Sequence, residues 1–165
     1  MQRWRKAIAG FVWAVGSGVG FAHALQPVTT TLVVHRVVTQ VGGRSTLAPA
    51  STAKPGDVLE YVAKFHNQGD TVVHGLIATL PLPVGTEFVP GSTHPTASLA
   101  SVDGATFAPM PLQRIVKRPD GTSHAVLVPA REYRFLRWAP TNLAAHGELS
   151  VSARVIIAAT RKRSP

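Results

Sequence analysis

The 165-residue chain contains no cysteine. That excludes a disulfide framework, a thiolate metal site and a cysteine-borne lipid anchor. Acidic residues are scarce as well, eight against 17 Lys and Arg, for a formal net charge of +9. After residue 25 no apolar run approaches the roughly 20 residues that a bilayer-spanning helix needs. Reaction motifs are also missing: there is no Gly-x-Ser-x-Gly elbow, phosphate-binding glycine loop or His-Glu-x-x-His pair. The carboxylates are scattered, and Asp57, Asp70, Asp103 and Asp120 stand beside turn residues, where their oxygens accept backbone hydrogen bonds. We therefore expect no enzyme, no cofactor and no metal.

What is present begins with Arg3, Arg5 and Lys6, followed by the apolar run "AIAGFVWAVGSGVGFA" and the small-residue close Ala22, His23, Ala24. A basic end, a short apolar stretch and small residues form the layout of a secretory signal, which predicts a signal helix over 1–24 with cleavage after Ala24. Four glycines and a serine dilute the run, which disfavours a retained membrane anchor. An exported protein, periplasmic or extracellular, is expected. Removal of the signal leaves 14 basic and eight acidic residues, a balance of +6. Such a charge attracts polyanions at long range and also serves plain solubility. The 141 residues that remain after residue 24 fit one domain, expected over 25–159, with a solvated basic tail over 160–165.

Periodicity predicts strands throughout the mature chain. "VTTTLVVHRVV" (28–38) is rich in β-branched residues and is broken by Gly42 and Gly43. In "VLEYVAKFHN" Leu59, Tyr61, Ala63 and Phe65 alternate with Glu60, Lys64 and His66, the period of two of a half-buried strand. "VVHGLIATLPLP" places Leu76, Ala78 and Leu80 on one face, and "ELSVSARVII" does the same with Leu149, Val151, Ala153, Val155 and Ile157. Asp-Gly pairs in "SVDGAT" and "RPDGTS" signal hairpin turns. No stretch beyond the signal keeps helical spacing with caps, and no internal repeat is visible. The 13 prolines and 14 glycines punctuate short alternating runs, so the fold class is an all-β sandwich or barrel.

Residues 54–92, "KPGDVLEYVAKFHNQGDTVVHGLIATLPLPVGTEFVPGS", carry an ordered set of turn motifs. These are Pro55 to Asp57, Asn67 to Gly69, Leu80 with Pro81, Pro83 to Gly85, and Val89 to Ser92. The set resembles the conserved bacterial repeat domain of unknown function numbered eleven in that series. The later "FLRWAPTNLAAHGELSVSARVII" is similar to the closing portion of that family. The resemblance implies an immunoglobulin-like antiparallel β-sandwich in an exported or surface protein, and it carries over no catalytic residues.

Two candidate sites follow from the residues. His66 and His74 flank the turn of Asn67, Gly69 and Asp70; a simple hairpin would bring their imidazoles together with Asp70 as an oxygen donor, whereas strands in opposite sheets would part them. We expect solvated turn histidines there, with Asn67, Gly69 and Asp70 as structural turn residues. In "REYRFLRW", alternation would place Arg131, Tyr133, Phe135 and Arg137 on one face, mixing guanidinium groups with rings that stack on sugars and pair with anions. The competing expectation is that Leu136 and Trp138 fill the core while the others cover an edge. Arg114, Lys117 and Arg118 would enlarge this surface if their segment folds nearby. The expected function is a non-enzymatic envelope or extracellular binding module. Its partners would be anionic envelope components, glycan or lipid, or another envelope protein, with no specific nucleic acid. A structural spacer or assembly subunit is the alternative, and a metal-dependent periplasmic enzyme a distant one.

Overall fold

A computed structural model describes residues 27–159. The expected signal over 1–24 and the basic tail over 160–165 lie outside the described residues. Within them the chain forms thirteen strands, all paired antiparallel, and no α-helix. In chain order these are β1 (Val28–Thr39), β2 (Ser45–Pro49), β3 (Val58–Asn67), β4 (Val73–Leu76), β5 (Thr79–Pro81), β6 (Thr86–Phe88), β7 (Leu99–Ser101), β8 (Ala108–Pro109), β9 (Gln113–Lys117), β10 (Ser123–Leu127), β11 (Phe135–Arg137), β12 (Thr141–Leu143) and β13 (Glu148–Ile157). A five-stranded sheet runs β2-β1-β3-β13-β6 and a four-stranded sheet β5-β11-β7-β8, with two-stranded ribbons β10-β9 and β12-β4.

The long strands β1, β3 and β13 form the centre of the larger sheet, and the period of two along β3 and β13 supplies its apolar face, while β1 is rich in β-branched residues. Leu59, Ala63 and Phe65 are buried on β3 while Lys64 and His66 are exposed. Across the ladder, Leu59 faces Val155, Ala63 faces Val151 and Phe65 faces Leu149, so large and small side chains alternate over the core. On the outer face Glu60 lies opposite Arg154 and accepts its Nε–H at 2.9 Å. The smaller sheet contributes Leu80, Leu136 and Ala100, which lie side by side across β5, β11 and β7 and are fully buried. One hydrophobic cluster draws on both sheets and on Trp138 and Leu143. The indole Nε1–H of Trp138 donates to the Pro95 carbonyl at 2.7 Å, satisfying the polar edge of a buried ring.

Two expectations change in detail. The run predicted as a single strand over "VVHGLIATLPLP" is divided: β4 pairs with β12, whereas β5 joins the four-stranded sheet. Gly75, at φ +66, and a register irregularity opposite it twist the chain out of the first ribbon before the second sheet begins. Of the two Asp-Gly turns, the one at Asp120 and Gly121 closes the tight β9-β10 hairpin. The other, at Asp103 and Gly104, sits in a longer loop between β7 and β8.

Candidate functional site

The face expected from "REYRFLRW" is not one surface. Pro129, at φ −60, starts a 3-10 turn over Ala130–Glu132, in which Glu132 N–H bonds the Pro129 carbonyl and Tyr133 N–H the Ala130 carbonyl. The Arg134 guanidinium donates to the Arg131 and Tyr133 carbonyls at 2.8 and 2.7 Å and fixes the exit of this turn. Strand alternation therefore begins only at Phe135. Arg131 is exposed on the turn, and Tyr133 points inward, 5% exposed. Its hydroxyl accepts the Leu112 N–H at 2.7 Å, and its ring stacks on Phe88 with centroids 5.7 Å apart. Phe135 and Arg137 do stay together: Phe107 lies edge-on to Phe135, and the Arg137 guanidinium sits 3.4 Å above the Phe107 ring. Leu136 and Trp138 are buried.

By turning inward, Tyr133 becomes part of the wall of an apolar cleft of about 420 Å³, in the range of small-ligand pockets. Phe88, Pro90, Met110, Leu127 and Val128 are among the other residues of its wall. Leu127 is the last residue of β10 and is 64% exposed, so the cleft opens at the base of the β9-β10 hairpin. That hairpin is tied to the 3-10 turn by Arg114, which donates to both oxygens of Glu132 at 2.6 and 3.2 Å. The cleft wall comes from segments far apart in the chain, meeting only through the tertiary fold.

Charge is distributed unevenly along the chain. Between Arg114 and Arg137 stand six basic side chains and two acidic ones, whereas the rest of the described residues hold five basic and six acidic. The basic surplus of the described residues thus resides in the hairpin, the 3-10 turn and β11. One of the two acids, Glu132, is committed to Arg114. The other, Asp120, accepts the Thr122 N–H and hydroxyl within its own turn, which holds its carboxyl below the ordinary aspartate pKa.

The Asn67, Gly69, Asp70 turn is built for structure. Asn67 is fully buried; its Nδ2 donates to the Thr71 and Ala144 carbonyls at 2.8 Å and lies 3.3 Å from the Leu143 carbonyl, while its Oδ1 accepts the Gly69 N–H at 3.0 Å. One side chain therefore clamps the β3-β4 turn to the β12-β13 turn. His66 is on β3 and His74 on β4, strands of different sheets, and both are exposed. Asp70 instead meets His146 Nε2 at 3.0 Å on the surface. Among the described residues no group of three His, Cys, Asp or Glu is placed to hold a metal ion. The carboxyl of Asp103 is held low by the Thr106 N–H, the Ser101 hydroxyl and the Ala105 N–H, all within its own loop. Tyr61 is pushed up by burial.

Sequence reasoning named Arg114, Lys117 and Arg118 as extensions of the surface, and these belong to the cationic hairpin. It missed the cleft residues Phe88, Met110 and Leu127, for which the sequence shows no shared pattern; a local charge count over 114–137 was the one signal pointing to that end of the molecule. No family model, curated protein or solved structure matches the chain.

Proposed function

We propose that the chain is an exported, non-enzymatic binding module with an immunoglobulin-like β-sandwich fold, and that its ligand is anionic with an apolar portion. The observation that carries this reading is the coincidence of the apolar cleft with the cationic segment 114–137. An apolar pocket supplies burial, and guanidinium and ammonium groups carried by the same segment of chain supply long-range attraction. Antiparallel sheets around a single core, short turn-punctuated strands and the motifs over 54–92 support the sandwich assignment. The basic-apolar-small layout of the first 24 residues supports export and an envelope or extracellular setting. The carboxylates with lowered pKa are satisfied by donors of their own turns, which is the arrangement of structural rather than reactive groups.

The test uses the mature chain from Leu25 and the anionic aromatic dye anilinonaphthalene sulfonate. Saturable fluorescence enhancement that weakens with added salt is expected. Leu127→Asp, at a largely exposed position, should weaken it at least tenfold without altering the far-ultraviolet circular dichroism. Absence of saturable binding, or equal binding by the variant, would overturn the reading.

A further inference from the structure

The β9-β10 ribbon differs from the outermost strands of the two larger sheets, which are marked by proline: β2 ends on Pro49, β5 on Pro81, β8 contains Pro109, and β6 lies between Pro83 and Pro90. Proline removes the backbone donor that an incoming strand would use. Neither β9 nor β10 contains proline.

The phase of the ribbon's hydrogen bonds shows which groups are left open. Arg118 N–H bonds the Thr122 carbonyl at 2.8 Å, and Val128 N–H bonds the Leu112 carbonyl at 2.9 Å. In an antiparallel ladder with this register, alternate residues from 122 to 128 turn their backbone groups toward β9. Ser123, Ala125 and Leu127 therefore turn their N–H and C=O groups outward, and no hydrogen bond among the described residues occupies them. All three residues are exposed.

We propose that this outer edge of β10 binds an extended acidic polypeptide segment as an added strand, with one apolar side chain of the segment seated in the cleft. The proposal rests on the binding reading above and names the ligand class. Three observations select the occupant. Outward backbone groups at three alternate residues match the repeat of an extended peptide. Leu127 belongs both to this edge and to the cleft wall, so a peptide residue beside it lies over the apolar opening. In the chain the edge is bracketed by Lys117 and Arg118 on one side and by exposed Arg131 on the other, which favours acidic flanks. The opposite edge, on β9, is less suited, because the hollow beside Gln113 and Arg114 also contains Asp103.

The probe is a nine-residue peptide alternating aspartate with valine and carrying phenylalanine at its centre, titrated by calorimetry into the mature chain. Binding that weakens with salt and displaces the anionic dye is expected. N-methylation of the peptide amides on one edge leaves charge and apolar content in place, and methylation of the edge facing β10 should weaken binding at least tenfold. Ala125→Pro removes an outward N–H without taking a bond from the β9 ladder; it should weaken peptide binding at least tenfold while dye binding persists, which also shows that the variant is folded. Equal binding by both singly edge-methylated peptides, or normal peptide binding by Ala125→Pro, would overturn strand addition. Dye binding without peptide binding, including capture of anionic phospholipid vesicles instead, would refute the peptide proposal and leave the binding reading standing. Binding of neither dye nor peptide would remove both.

Discussion

Replacing Asn67 by alanine should be among the most damaging single changes on the surface-facing turns of this protein. Its amide carries two hydrogens, and the two 2.8 Å contacts, to the carbonyls of Thr71 and Ala144, use both. The 3.0 Å bond from Gly69 N–H to Oδ1 is a third. At about 1 kcal/mol net for each, truncation costs about 3 kcal/mol, with the Leu143 carbonyl also losing a close donor. For a domain of this size that corresponds to a fall in Tm of about 10 °C. Asn67→Asp is the sharper control, because it keeps shape and reverses the chemistry: an oxygen replaces the donor facing three carbonyls. At neutral pH it should therefore be more destabilising than alanine. Urea unfolding followed by circular dichroism measures both. A cost below about 1 kcal/mol for alanine, or an aspartate variant more stable than the alanine one, would refute the view of Asn67 as a buried clamp.

Gly104 lies at φ +79, and a Cβ there would stand 2.8 Å from the Phe135 ring, so Gly104→Ala should cost at least about 1 kcal/mol by thermal unfolding. The Asp103 carboxyl is lowered in the folded state, so its contribution to loop order is present above the ordinary aspartate pKa and is lost as pH falls through the folded value. An NMR pH titration should show the Ala105 and Thr106 amides moving together below the ordinary aspartate range, and Asp103→Asn should abolish that transition. Glu132→Gln removes the charge from a half-exposed pair, so global stability should change by no more than about 1 kcal/mol. Hydrogen exchange over 113–127 should accelerate, because Arg114 and Glu132 tie the hairpin to the 3-10 turn.

The strands of the larger sheet were legible because their signal is local: alternation along β3 and β13 translates directly into one buried and one exposed face. The turn at Asn67 was legible for the same reason, as Asn, Gly and Asp punctuate the chain. Residues 131–134 were not, since Arg131, Tyr133, Phe135 and Arg137 at alternate positions mimic an exposed strand. What bends them is the 3-10 turn after Pro129 together with the pull of Tyr133 toward Phe88 and the Leu112 N–H. A hydrogen bond across 21 residues of sequence leaves no periodic trace. The cleft is of the same kind, assembled from segments near residues 88–96, 110–111 and 127–133 that meet only after both sheets pack.

The most direct measurement is NMR chemical-shift mapping of the uniformly labelled mature chain during titration with the acidic peptide and, separately, with the anionic dye. For both ligands, perturbations are expected to cluster at 88–96, at 110–118 and at 122–134, with the amides of Ser123, Ala125 and Leu127 moving most when the peptide is added. Perturbations spread instead over the outer face of the five-stranded sheet, with none at the residues lining the cleft, would contradict the assignment of the cleft-bearing end as the binding surface.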